Sequence, residues 1–263
     1  MTEDTDATTA TMPIEDYLAQ GGQLTSPANV PARYRGELLR LMASFVDSEL
    51  AASAGFADTI NDAAGITARI AACRITLEKA DHAGRVLDLM GDFGADEGRY
   101  ATQHPWADRL PRDAALGQAR HGADMRLAVF HYPIEGWVDA VVMNVLQGLA
   151  AAVTLEELAR VSYAPLADVF RAIAPRERRH TDLGVTGLTD IAATEEGRAA
   201  ARAAIAYWQP KVADSFGTMN SARFETQKRF GLRHRPNEAL LADWTASVRA
   251  TLAPLGLDRG DPA

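Results

Sequence analysis

The sequence predicts an all-α protein, a four-helix bundle with extra flanking helices. Alanine, leucine and arginine are common, and runs of β-branched residues are scarce. Apolar residues recur at spacings of three and four over long stretches, which is the helical period. Four such stretches are divided by one long Gly-, Pro- and Asp-rich connection, the layout of a bundle with a crossover.

The elements follow in order. Residues 1–12, acidic and Thr-rich, read as a disordered tail, and 258–263 as a frayed end, leaving 13–257 as one helical domain. A short helix is expected at "IEDYLAQ", then a first long one opening at Pro31 in "PARYRGELLRLMASFVDSELAA". The second runs through "ITARIAACRITLEKADHAGRVLDLMGDFG", and the third starts near "EGWVDAVVMNVLQGLAAAV". The fourth is expected to start at Thr154, where "TLEE" offers a Thr-x-x-Glu capping box, and to reach "RRHTDLG". Two more helices are supplied by "TEEGRAAARAAIAYWQPKVADSF" and "NEALLADWTASVRATLAPLG".

Composition removes several function classes. A net charge of −8 and a pI near 5.3 argue against nucleic acid or an anionic membrane as partner. The single cysteine, Cys73, excludes an internal disulfide framework and fits a reducing cytosol. The N-terminus lacks the basic and apolar regions of a signal peptide. No run reaches the roughly 18 uninterrupted apolar residues of a spanning helix. A cytoplasmic globular protein is expected.

Ionisable residues interrupt the apolar stripe of every long helix. Leu38, Met42, Phe45 and Glu49 share a face of the first. Ala72, Ile75, Lys79, His82, Val86 and Leu89 share one of the second. Asp139, Val142, Leu146 and Val153 line up on the third; Leu166, Phe170, Ile173, Glu177, His180 and Gly184 do so on the fourth. Taken singly, each has a plain explanation. Glu49 could pair with a surface arginine, and His82 could be a satisfied core histidine. Asp139 could favour a helix N-terminus, and Glu177 with His180 could form a salt-bridged outer face. Together they nearly make the four-helix carboxylate constellation of a dinuclear iron site, because a buried charge needs a partner or a metal.

The strings "DSEL", "KADHAG", "YPIEGWVDA", "ARVSYAP", "ERRH", "AIAYWQP", "NSAR" and "KRF", in that order from about residue 34 to 257, resemble the catalytic subunit family of phenylacetyl-CoA epoxidase. That resemblance implies a ferritin-like bundle with iron ligands at Glu49, His82, Asp139, Glu177 and His180. It also implies a reductase as electron donor and a ferritin-like partner subunit or a homodimer. The sixth ligand position, three before His82, should be glutamate but is Lys79. Glu78 lies roughly 100° around a regular helix from Lys79, grouped with Arg74, Arg85 and Asp88 on a charge-alternating face, so only a π-bulge would turn it inward. An ammonium in the cavity adds repulsion and removes a bridging anion, so one metal or none is better matched than two. Pro175, two residues before Glu177, is expected to kink the fourth helix.

Three functions stay open at this point. The first is an oxygenase inserting oxygen into an acyl-CoA or similar apolar substrate, with Lys79 adjusting the site or donating a proton. Lys228, Arg229, Arg233 and Arg235 of "KRFGLRHR" would then take the CoA phosphates, or else form a solvated helix end. The second is a non-catalytic scaffold with Lys79 as internal counter-ion. The third is a changed reaction on the same fold.

Overall fold

A computed structural model describes residues 12–102, 105–115 and 124–258. The expected tails thus lie outside the described residues, apart from Met12 and Asp258. Four long helices form the bundle: α2 (Ala32–Asp58), α3 (Ile66–Gly91), α5 (Gly136–Leu158) and α6 (Ala164–Ile191). Helix α2 packs on α3, α5 packs on α6, and the two pairs meet where α3 crosses α6. Helices α7 (Glu195–Asp214) and α9 (Asn237–Leu252) flank α5. Short helices α1 (Ile14–Ala19), α4 (Glu97–Ala101) and α8 (Ala222–Arg229) complete the helical set, and no strand occurs among the described residues. The expected all-α bundle is therefore present; α4 and α8 had not been anticipated.

One helix boundary differs from expectation. Thr154 is not a start: α5 runs through it to Leu158, and α6 begins at Ala164. The capping box loses to tertiary backbone bonds. Leu24 donates its N–H to the Ser162 carbonyl and accepts from Ala164 N–H, both at 2.8 Å, and Ser162 N–H donates to Gly231 O at 2.9 Å. These bonds occupy the groups a continuous helix would use, and Pro165 then suits the first turn of the next one. Helix α6 runs on through Pro175 without a break in its span.

Two apolar clusters fill the bundle. One gathers Val46, Ala83, Val86, Phe170 and Ile173. The other gathers Ala52, Ile75, Val142, Leu146 and Leu188, with Trp208 and Trp244 from the flanking helices. All four long helices contribute to both clusters. The buried ionisable residues of α2, α3 and α6 occupy the crossing between the clusters. Helices α5 and α6 approach closely there: a Cβ on Gly148 would stand 2.3 Å from Thr181 Oγ1. Helix α5 is long and apolar enough to cross a membrane by length and composition, and 67% of its most apolar window is buried within the chain.

Candidate metal centre

At the crossing, Glu49 of α2, Lys79 and His82 of α3, and Glu177 and His180 of α6 are all buried. Their order on each helix brings this about, since Glu49 follows the stripe Leu38–Met42 and Glu177 follows Phe170–Ile173 at helical spacing. Lys79 Nζ donates to both oxygens of Glu177 at 3.2 Å and to Glu49 Oε1 at 3.3 Å. His82 Nδ1 lies 3.0 Å from Glu177 Oε1 and 3.3 Å from Glu49 Oε2. The two imidazoles stack with ring centres 5.8 Å apart. Among the described residues, His82 Nε2 and His180 Nδ1 are buried without hydrogen-bond partners, although His180 Nδ1 is 3.3 Å from Glu177 Oε1.

Protonation follows from these contacts. Burial alone would pull the Lys79 ammonium down, but the Glu177 and Glu49 carboxylates outweigh it and hold the amine above its ordinary range. Burial likewise opposes a charged Glu177, yet Lys79, His180 and His82 hold its carboxyl well below the usual carboxylate range. For His82, burial is again the opposing influence, and the Glu177 and Glu49 hydrogen bonds raise its pKa above the ordinary value. Lys79 thus stands as a charged ammonium clamped between two carboxylates.

Glu78 is positioned otherwise than its helical face suggested. From a regular α-helix, with no π-bulge, its Oε2 reaches His180 Nε2 at 2.7 Å, while Arg179 Nη2 donates to both carboxylate oxygens at 3.0 Å. The side chain is 18% exposed, so it closes the rim of the centre instead of facing bulk water. Burial opposes its ionisation, but the bonds from His180 and Arg179 keep its pKa low. A carboxylate on Nε2 fixes the imidazole so that Nδ1 faces Glu177.

Asp139 is held elsewhere. It sits in the first turn of α5, where Oδ2 accepts from Glu135 N–H at 3.0 Å and from Arg112 Nη1 at 2.7 Å. The helix N-terminus and a guanidinium satisfy this acid, and Gly136 just before it has φ +82°, a turn that glycine takes easily. Arg112 comes from the irregular connection, where no periodic signal could reveal it.

Among the described residues, Glu49, His82 and Glu177 offer three ligand atoms within 4.8 Å of one another, a group that could hold a metal ion. His180 Nδ1, buried and without a hydrogen-bond partner among the described residues, lies beside them, 3.3 Å from Glu177 Oε1. One divalent ion fits this donor set if Lys79 yields its place or its proton. A second ion would meet the Lys79 ammonium, and Asp139 is bonded to Arg112 instead of facing the centre.

A cavity of about 280 Å³ opens onto this centre. Glu49 and Glu177 line it, its walls are largely apolar, including Phe45 and Leu155, and Arg40 and Arg233 line it too. Of the other cations expected to take phosphates, Arg235 pairs with Asp243 at 2.6 Å and Arg229 lies 3.9 Å from Glu15. Lys228 makes no ion pair among the described residues. Arg233 Nε is 3.8 Å from Glu157, a buried acid that also accepts the backbone N–H groups of His234 and Arg235. Burial opposes the ionisation of Glu157, but its bonds with His234, Arg235 and Arg160 bring its pKa down to about 2. Glu157, the glutamate of the expected Thr154 capping box, lies in the last turn of α5 instead of the first turn of the next helix.

No curated protein matches this chain. A family profile described as phenylacetic acid catabolic protein matches residues 22–262, which takes in all four bundle helices and every residue of the centre. The chain belongs to the phenylacetic acid catabolic protein family.

Proposed function

We propose that this chain is a subunit of a ring-oxygenating assembly of the phenylacetate type in which the dinuclear centre has been replaced by an internal ion cluster. It would serve as the partner of a catalytic ferritin-like relative. The observation that carries this reading is the position of Lys79 Nζ, within 3.3 Å of carboxylates from two other helices. Breaking such a buried set by removing its cation leaves uncompensated charge, so the lysine is a structural replacement for a metal in this arrangement. Glu49, Glu177 and His82 then serve to join α2, α3 and α6.

A second reading is favoured by the cavity that Glu49 and Glu177 line, and by His180 Nδ1, which has no hydrogen-bond partner among the described residues. On this reading the centre takes one iron on Glu49, His82, Glu177 and His180, with Glu78 orienting His180 and Lys79 neutral or withdrawn. Bound iron, reduced by a partner reductase, would supply the O₂ chemistry on an acyl-CoA or similar apolar substrate. This chain's side chains would bind that substrate, orient it and exclude water.

Anaerobic loading with Fe(II), removal of unbound metal and exposure to O₂ in the presence of a reductase separates the two. The partner-subunit reading expects no oxygen uptake by the chain alone. Uptake in proportion to protein would overturn it in favour of the single-iron enzyme.

A further inference from the structure

Among the described residues six large apolar side chains are exposed, and three of them lie on one face of α3. Ile66, Ile70 and Leu77 are 78%, 55% and 70% exposed, and spacings of four and seven set them in one line along the helix. Cys73, also exposed, stands in the same line. The other sides of α3 are occupied: Lys79 and His82 are buried at the centre, Ser53 of α2 donates to the Thr76 carbonyl, and Glu78 meets His180. A row of branched apolar side chains left in water marks a contact surface.

Beside this row runs a groove of about 360 Å³ between α3, α5 and α6. Small residues line it, among them Ala68 and Ala71 of α3 and Gly184 and Gly187 of α6. Projecting side chains and a groove of small ones thus occur side by side on one face. Such a face can bind its own copy, because a two-fold axis sets the projections of each chain into the groove of the other.

Charge fits the same arrangement. Helices α3 and α6 run antiparallel, since Glu78 meets His180 and Asp81 meets Arg176. At 1.5 Å per residue this puts Asp190 of α6, which lines the groove, level with about residue 68 of α3. Asp190 and Arg74 are both exposed, and neither makes an ion pair among the described residues. A two-fold axis through Ile70 turns the second α3 antiparallel to the first. It brings Arg74 of one copy level with Ile66 of the other, within about one helical turn of Asp190. A guanidinium and a carboxylate therefore face each other twice across the contact.

We infer that two copies of this chain associate through the exposed face of α3. Ile66 and Ile70 of each copy fill the groove of the other, and Arg74 pairs with Asp190 across the two-fold axis. The contact is independent of what occupies the centre, and it goes beyond the role proposed for Lys79.

Sedimentation velocity of the full chain over a range of concentrations tests this. The wild type should sediment as a dimer of the 28.3 kDa chain. Ile70→Asp, at a position already exposed, should raise the dimer dissociation constant about a hundred-fold, because it sets two carboxylates against each other at the axis. Arg74→Asp and Asp190→Arg should each raise it about ten-fold, and the two together should restore it. Met219→Asp, at an exposed methionine outside α3, should leave it unchanged. Should Ile70→Asp fold poorly, alkylation of Cys73 in the folded wild type by a bulky maleimide takes its place. That reaction should be slow in the dimer and should yield monomers. A wild type that is monomeric at every concentration overturns the contact. A dimer that survives both Ile70→Asp and Cys73 alkylation overturns its placement on α3, and charge variants that do not restore each other overturn the Arg74–Asp190 pairing. Each of these results leaves the ion-cluster reading of Lys79 untouched.

Discussion

Lys79 Nζ and the Glu177 carboxylate, 98 residues apart in the chain, meet head-on between α3 and α6, 3.2 Å from the nitrogen to each oxygen. Both side chains are nearly inaccessible to solvent, at 4% and 3% exposure. The pair joins the two halves of the bundle. Removing its cation strands Glu49 and Glu177 in an apolar crossing. Lys79→Met should therefore lower unfolding stability by about 3–5 kcal/mol, measured by chemical denaturation. Adding Glu49→Gln and Glu177→Gln should restore much of it, because an uncharged set no longer carries the desolvation cost. Stability unchanged in the single variant would mean that the ammonium contributes nothing.

The same contacts set a pH window. Glu177 has a folded pKa below its ordinary 4.5, so its contribution is complete above 4.5 and is lost as pH falls through the folded value. His82 has a folded pKa above its ordinary 6.5, so its contribution is complete below 6.5 and is lost as pH rises through the folded value. Lys79, raised above 10.5, contributes fully up to that pH. Stability measured against pH should thus fall on the acid side of 4.5 and decline more gently above 6.5. In Lys79→Met, Glu177 loses its principal cation, so the acid limb should shift to higher pH. An acid limb at the same place in both proteins contradicts the pairing.

Asp139 and Glu177 differ in what surrounds them, and metal binding should show it. Glu177→Gln should reduce divalent-metal binding, measured by competition with a chelating dye, because it removes a member of the three-ligand group. Asp139→Asn should leave that binding unchanged while costing about 1–3 kcal/mol of stability, since it weakens the bond from Arg112. Loss of metal binding in Asp139→Asn would show that the aspartate leaves Arg112 for the centre.

Much of this architecture is visible in the sequence because burial in a helix repeats every three to four residues. Glu49, Lys79, His82, Glu177 and His180 each stand on a stripe whose other members are apolar, so periodicity alone points them inward. What periodicity does not carry is contact made from a helix edge or from irregular chain. Glu78 reaches His180 from the rim, through the length and freedom of its side chain. Arg112 reaches Asp139 from a connection with no repeat. Thr154 has the sequence of a cap but the surroundings of a helix interior, because Leu24 pairs with the chain at 162–164, where the helix break falls instead. In each case a contact distant in sequence outweighs the local signal.

The position of Lys79 makes iron stoichiometry the most direct test. Wild type and Lys79→Glu should be loaded with Fe(II) in parallel, freed of excess metal and analysed for iron per chain. The ion-cluster account predicts less than one iron in the wild type and a clear increase in the variant, where a carboxylate replaces the ammonium beside Glu49 and Glu177. Two irons per wild-type chain, or an iron content unchanged by the substitution, would contradict it.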